Sequence, residues 1–323
     1  MPFLSSACPF TFAALVASIA IPPIVVGTYS AGSAILLIGL ILAFRRDIPR
    51  AHGLDKIICL GPVLFAAPMA VFGAEHLTAT REIAAMVPQW IPGHMFWAVF
   101  VGLALLAAAL SIAVGRVAGL ASALLGFMLL CFVLLIDVPG LAATPGDRFA
   151  QTLTLRELSF SACAFALAST FANDRLRLVA ERAATAARYL VGVAVIFYGV
   201  EHFLHPQFVP VIPLELHMPA WIPFHLLWAY GVGAALVAAG LAMLANWRAR
   251  VATTILGIVV CAVVAFVYLP ILAAHPGDVS VGMNYFADTL CFGGALLALA
   301  GSIPPEYRER CTVTGPNRSV QPQ

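Results

Sequence analysis

Two acid-histidine pairs stand out against an apolar chain because they occur twice. Gly73-Ala74-Glu75-His76 returns as Gly199-Val200-Glu201-His202, and Pro88-Gln89-Trp90-Ile91-Pro92-Gly93-His94 returns as Pro219-Ala220-Trp221-Ile222-Pro223-Phe224-His225. Further on, Pro145-Gly146-Asp147 matches Pro276-Gly277-Asp278, and Glu157 matches Asp288. Histidines with carboxylates can hydrogen-bond a quinol and relay its protons, because imidazole titrates near neutral pH. The same donor set can bind a first-row metal, and a histidine pair can ligate haem. Two structural readings compete with these: Glu-His can solvate a helix end, and a buried acid can fasten one helix to another. A polar ligand such as a quinone is the leading functional reading, with metal or haem behind it. No catalytic residue follows from the residue types alone.

Glu157 and Asp288 carry the sharpest signal. Each falls inside an apolar run, about 10 Å from its end at 1.5 Å per residue. An acid at such depth costs roughly 2.5–3.5 kcal/mol on insertion scales and is expected to face the bundle interior. Arg156 precedes Glu157, but adjacent helical residues point apart, so Arg156 is expected to pair with an acid of another span, with Glu75 the candidate. The second copy has Ala287 in place of that cation. Asp288 is therefore expected to be protonated or bonded to His202 or His225, and the two halves to differ in function.

The surroundings of these residues define the class. Of 323 residues, 62% are hydrophobic and 10% charged, against about 25% charged in soluble domains; mean hydropathy is +0.98. So few charges cannot cover a soluble globule, and the chain reads as an all-α, polytopic membrane protein in contact with the lipid bilayer. A net charge of +2 gives no reason to expect a nucleic-acid partner. The seven cysteines show no Cys-x-x-Cys and read as small buried hydrophobes.

Spans need about 20 apolar residues. They are expected at 57–77, 94–114, 117–137, 150–171, 186–204, 222–245, 250–270 and 284–303. The apolar region 10–44 is too long for one ordinary span. Pro22-Pro23 and the stretch from Gly27 to Gly32 interrupt it, so a helical hairpin is favoured there, with one kinked or re-entrant helix as the alternative. This divides the chain into an N-terminal region with a basic loop (1–56), two four-helix repeats (57–171 and 186–303), a linker (172–185) and a tail (304–323). Arg45, Arg46, Arg50, Lys56, Arg116, Arg175, Arg177, Arg182, Arg188, Arg248, Arg250 and the tail arginines alternate onto one side. By the positive-inside rule that side is cytoplasmic, which puts the C-terminus there and both acid-histidine pairs outside. Each repeat begins and ends on the same side, so the repeats are parallel.

From Pro88 onward the copies keep an offset of 131 residues, as in Trp97 with Trp228 and Gly102 with Gly233. Before it the offset is 126, so the second copy gains five residues around Leu204–Met218, bringing His205, Glu215 and His217. Matching glycines in mid-span predict close helix packing. Trp90, Trp97, Trp221 and Trp228 read as an aromatic belt.

At the Gly-x-Glu-His and Pro-x-Trp-Ile-Pro segments the chain resembles the DoxX family of small bacterial membrane proteins, over about 57–171 and 186–303. That resemblance implies a four-helix bundle per copy. It also implies a place in or beside a quinone-linked redox system of the plasma membrane, with other membrane or periplasmic redox subunits as partners. Only the Glu-His positions match the family motif. Two fused copies and the region 1–56 depart from it.

Overall fold

The computed structural model describes residues 21–305 apart from 213–214. Nine long helices run through it. Pro23–Arg46 forms α1, and Gly61–Thr78, after a short turn at Asp55–Ile58, forms α2. The short α3 (Thr80–Met86) leads to α4 (His94–Val114), α5 (Ala118–Phe132) and α6 (Arg148–Ser169). The second copy supplies α7 (Arg177–Leu204), α8 (His225–Leu244), α9 (Ala249–Val263) and α10 (Tyr285–Ser302). Eight of the long helices are apolar enough to cross a membrane, so the protein is an all-α, multi-pass membrane protein.

The ninth, α6, falls on the expected span 150–171 but holds Arg148, Arg156 and Glu157. It is accommodated by position: no residue from Arg148 to Ser169 is exposed. Its counterpart α10 is enclosed in the same way, with Cys291 to Ala300 buried throughout. The remaining helices, apart from α2, turn large apolar side chains outward, such as Phe96, Phe100 and Leu103 on α4 and Leu120, Leu124 and Phe127 on α5.

The two four-helix repeats share one bundle. Within each copy, consecutive helices pack side by side. The first helix of each copy then packs on the fourth helix of the other, α2 on α10 and α7 on α6, closing a ring of eight. The two fourth helices also pack against each other. Small residues permit these approaches. A Cβ on Gly61 would lie 2.5 Å from the backbone nitrogen of Ala298, and one on Gly294 would run into the backbone of Leu64 and Phe65.

α1 is one uninterrupted helix, so the stretch from Gly27 to Gly32 is not a turn. Pro22 and Pro23 instead begin the helix, where a missing N–H costs nothing. Gly27, Gly32 and Gly39 lie against Thr78, Val71 and Val63 of α2, which explains them as packing residues. The first arm of the expected hairpin lies outside the described residues.

Both copies break their third helix at the same place. α5 passes through a π-turn at Val133–Asp137 into Val138–Ala143, and α9 through one at Val264–Tyr268 into Leu269–Ala274. Pro139 and Pro270 follow immediately. Proline cannot donate to the carbonyl four residues back and its ring crowds it; widening the turn relieves both, and such π-bulges recur at functional sites.

Candidate functional site

The duplicated glycine-histidine motif proves to be a helix crossing. A Cβ on Gly73 would lie 2.9 Å from the Gly102 carbonyl, and one on Gly102 would lie 2.9 Å from His76 Cβ. Gly199, Gly233 and His202 repeat this arrangement between α7 and α8. In both copies the histidine Nδ1–H donates to the carbonyl four residues back: His76 to Phe72 at 2.8 Å and His202 to Tyr198 at 2.6 Å.

Beyond that the copies diverge. His202 is 2% exposed, and its Nε2 accepts a hydrogen bond from the Val211 N–H at 2.8 Å. Both ring nitrogens are thus used, with the proton on Nδ1. Val211 has φ 88°, a left-handed conformation unusual for a β-branched residue, and His202 helps to hold it. The residues added in the second copy make a small hairpin, with Phe208 bridged to His217 and the Val209 N–H donating to the Leu216 carbonyl at 2.9 Å. The Tyr268 hydroxyl anchors it by donating to the Pro210 carbonyl at 2.6 Å. His76 is only half-buried, and among the described residues the first copy has no such hairpin over it. Replacing His202 by alanine strands the Val211 N–H, while the Tyr198 carbonyl keeps its helical bond, and is expected to cost about 1–3 kcal/mol. His76→Ala removes a single bond worth about 1 kcal/mol. Thermal unfolding of the two purified variants measures the difference.

The remaining paired residues separate. Asp147 and Asp278 are helix N-caps, accepting from the N–H of Phe149 and of Val281, each at 3.0 Å. Such caps stabilise by about 1 kcal/mol, and neither aspartate joins the polar site. His94 and His225 open α4 and α8 behind residues in the left-handed region, Gly93 (φ 75°) and Phe224 (φ 61°). The His225 Nε2–H donates to the Pro219 carbonyl at 3.0 Å, shaping its own loop. Among the described residues neither the aspartate caps nor His225 bond to the Glu-His pair of their copy. Glu201 lies instead beside Arg148 and His205, each at 3.8 Å. Arg148 also covers the Phe208 ring at 4.4 Å.

The charges that do converge lie on the seam between copies. Arg156 Nη1 donates to Asp288 Oδ2 at 2.6 Å, and Nη2 donates to Glu157 Oε1 at 2.8 Å. Arg156 thus pairs with its own neighbour and with the opposite copy, not with Glu75. The long guanidinium stem bends back to Glu157, which the divergence of adjacent Cα–Cβ bonds alone does not forbid. Asp288 takes this cation in place of His202 or His225. Glu75 accepts instead from Asn284 Nδ2 at 3.2 Å. Asn284 closes the π-turn Val279–Asn284 that leads into α10; α6 has no such turn, so only one copy presents this amide.

Asp137 completes the group. It ends the π-turn after α5 within electrostatic reach of Glu157 and Arg156. Its Oδ2, Arg156 Nε and Asn284 Oδ1 are buried without a hydrogen-bond partner. Sequence reasoning missed Asp137 because the second copy has Tyr268 at that position, so the comparison of copies was blind to it. An acid ending the apolar run 117–137 was the available signal. Asn284, at the edge of a span and uncharged, left none.

Asp288 of α10, Glu157 of α6 and Asp137 of the π-turn after α5 thus lie within electrostatic reach of one guanidinium, and Glu75 of α2 lies within reach of Asp288. Glu157 and Asp137 are not fully covered, and Leu134, Leu135, Ile136 and Val138 beside Asp137 are exposed. That flank is open to a bilayer-soluble molecule. Among the described residues no group of three or more histidine, cysteine or acidic side chains could hold a metal ion.

Fold and site together define a polytopic helical membrane protein with a buried ionic cluster where α6 and α10 meet. No family model, curated protein or solved structure matches the chain.

Proposed function

We propose that this is a tandem DoxX-like protein of the plasma membrane. It binds a quinol-type molecule at the Arg156 cluster and serves a quinone-linked redox system alongside other membrane or periplasmic subunits. The observation that carries the reading is the cluster itself: unpartnered donor and acceptor atoms beside charged groups, next to an apolar flank. A quinone head offers carbonyl oxygens to Arg156 and, when reduced, hydroxyls to the carboxylates, while its tail stays in lipid. Intramembrane ionisable groups mark ligand and proton pathways by default. The basic helix ends, with Arg46, Arg116, Arg248 and Arg250, face the cytoplasm in this proposal, and the cluster lies toward the outer leaflet.

Nanodisc-embedded protein is expected to bind a radiolabelled short-chain ubiquinone saturably. Arg156→Gln should weaken binding about 10–100-fold, the loss of one charge-assisted hydrogen bond. Absence of saturable binding by folded wild-type protein sinks this reading. A carrier is the second reading, favoured by the cluster's position on the seam where the repeats could move against each other. Proteoliposome uptake of a solute that fails in both Glu157→Gln and Asp288→Asn would select it.

A further inference from the structure

We infer that the Arg156 cluster is a proton-binding site, with one proton held at Asp137. The reasoning begins with charge balance. Arg156 bonds two carboxylates directly, Asp288 and Glu157. One guanidinium cannot neutralise both, and Asp137 adds a third acid within electrostatic reach. Glu75 adds a fourth on the far side, and its bonded partner Asn284 is neutral. Among the described residues no second lysine or arginine forms an ion pair with Asp137, Glu157 or Asp288. Fully ionised, the group would hold several uncompensated negative charges inside an apolar bundle. Carboxylates sharing a site cannot all stay ionised; one takes up a proton.

The geometry selects the holder. Asp288 is held by the shortest contact to Arg156 and is buried, so its charge is the best compensated. Glu157 gives one oxygen to Arg156 and is more open. Asp137 has a buried oxygen with no donor aimed at it, and a carboxyl proton there turns an orphaned acceptor into a donor. The π-turn holds Asp137 on the flank of α5 beside α6. Other titratable groups in electrostatic reach of the cluster's acids are the Tyr198 hydroxyl from α7, the Tyr268 hydroxyl after α9, the Tyr285 hydroxyl and the Cys291 thiol on α10, and His76, which follows Glu75 on α2. Uptake is simple protonation from solvent, with no electron transferred.

The inference does not depend on any ligand. Infrared difference spectroscopy on ligand-free, full-length protein in nanodiscs tests it through the carbonyl stretch of protonated carboxyl groups. At pH 7 the wild type is expected to show such a band, shifted in heavy water. Asp137→Asn or Glu157→Gln should remove it, while Arg156→Gln should add a second proton's intensity. Size-exclusion profiles establish that each variant is folded, and either of the two acid variants suffices if the other does not fold. A wild-type protein without the band at pH 7, or a band untouched by both acid variants, overturns the inference. A normal band with no ubiquinone binding removes the quinol reading alone.

Discussion

Replacing Arg156 by alanine is expected to destabilise the folded protein by about 3–5 kcal/mol, the cost of leaving buried charges without their partner. The effect should be this large because one side chain serves two helices from opposite copies. Its bonds to Asp288 at 2.6 Å and Glu157 at 2.8 Å tie α10 to α6 where the repeats meet. Removing it leaves at least two acids with no cation in reach. The same logic predicts rescue. Arg156→Gln combined with Asp288→Asn replaces charge by neutral amides and should recover more than half of the loss, whereas Arg156→Gln alone should not. Thermal unfolding of detergent-purified variants, followed by a thiol-reactive dye, reads the order. Equal stability of wild type and Arg156→Ala would show that the ion pairs are dispensable to the fold.

Gly294→Ala is expected to cost about 3 kcal/mol, at the upper end for overpacking a tight core. The added methyl would meet the Leu64 and Phe65 backbone, not a side chain able to rotate away, so α2 and α10 must separate. This contact holds the first helix of one copy on the fourth helix of the other. Gly231→Ala is the matched control on α8, since nothing lies within 4 Å of its added Cβ. That change should be neutral or stabilising by a few tenths of a kcal/mol, because alanine is the better helix former. A similar loss for both would mean that the close crossing does not limit stability. A related substitution, Gly61→Ala, should report on the same seam from the other side, where its Cβ would meet the Ala298 backbone nitrogen at 2.5 Å.

Much of the frame was legible beforehand. Apolar runs of about 20 residues placed most of the long helices to within a few positions, because a bilayer sets their length, but α7 begins at Arg177 and takes in much of the expected linker 172–185, and α1 is a single helix. Matching glycines identified real crossings, since only a missing side chain lets backbones meet. The acids Glu157 and Asp288 were rightly expected inside the bundle, where the cost of lipid exposure drives them. The errors share a cause. The Gly27–Gly32 stretch of α1 was read as a turn because glycine weakens helices, but here it packs against α2 and that contact decides. Asp147 and Asp278 looked chemical because they recur, yet a helix N-cap recurs for its own reason. His202 and His76 looked equivalent, but five inserted residues built a hairpin that consumes the spare nitrogen of His202.

The chain by itself determined the membrane class, the internal repeat, and the depth at which charge is buried. These follow from local composition and from spacing along one helix. Only the tertiary structure decided that the copies close into one ring, that Arg156 bridges them, and that Asp137 and Asn284 join the group. In lipid the outward and inward faces of a helix are both apolar, so hydrophobic pattern cannot say which helices touch. Backbone contact at glycine, and the need of each buried charge for a counter-charge, make that choice.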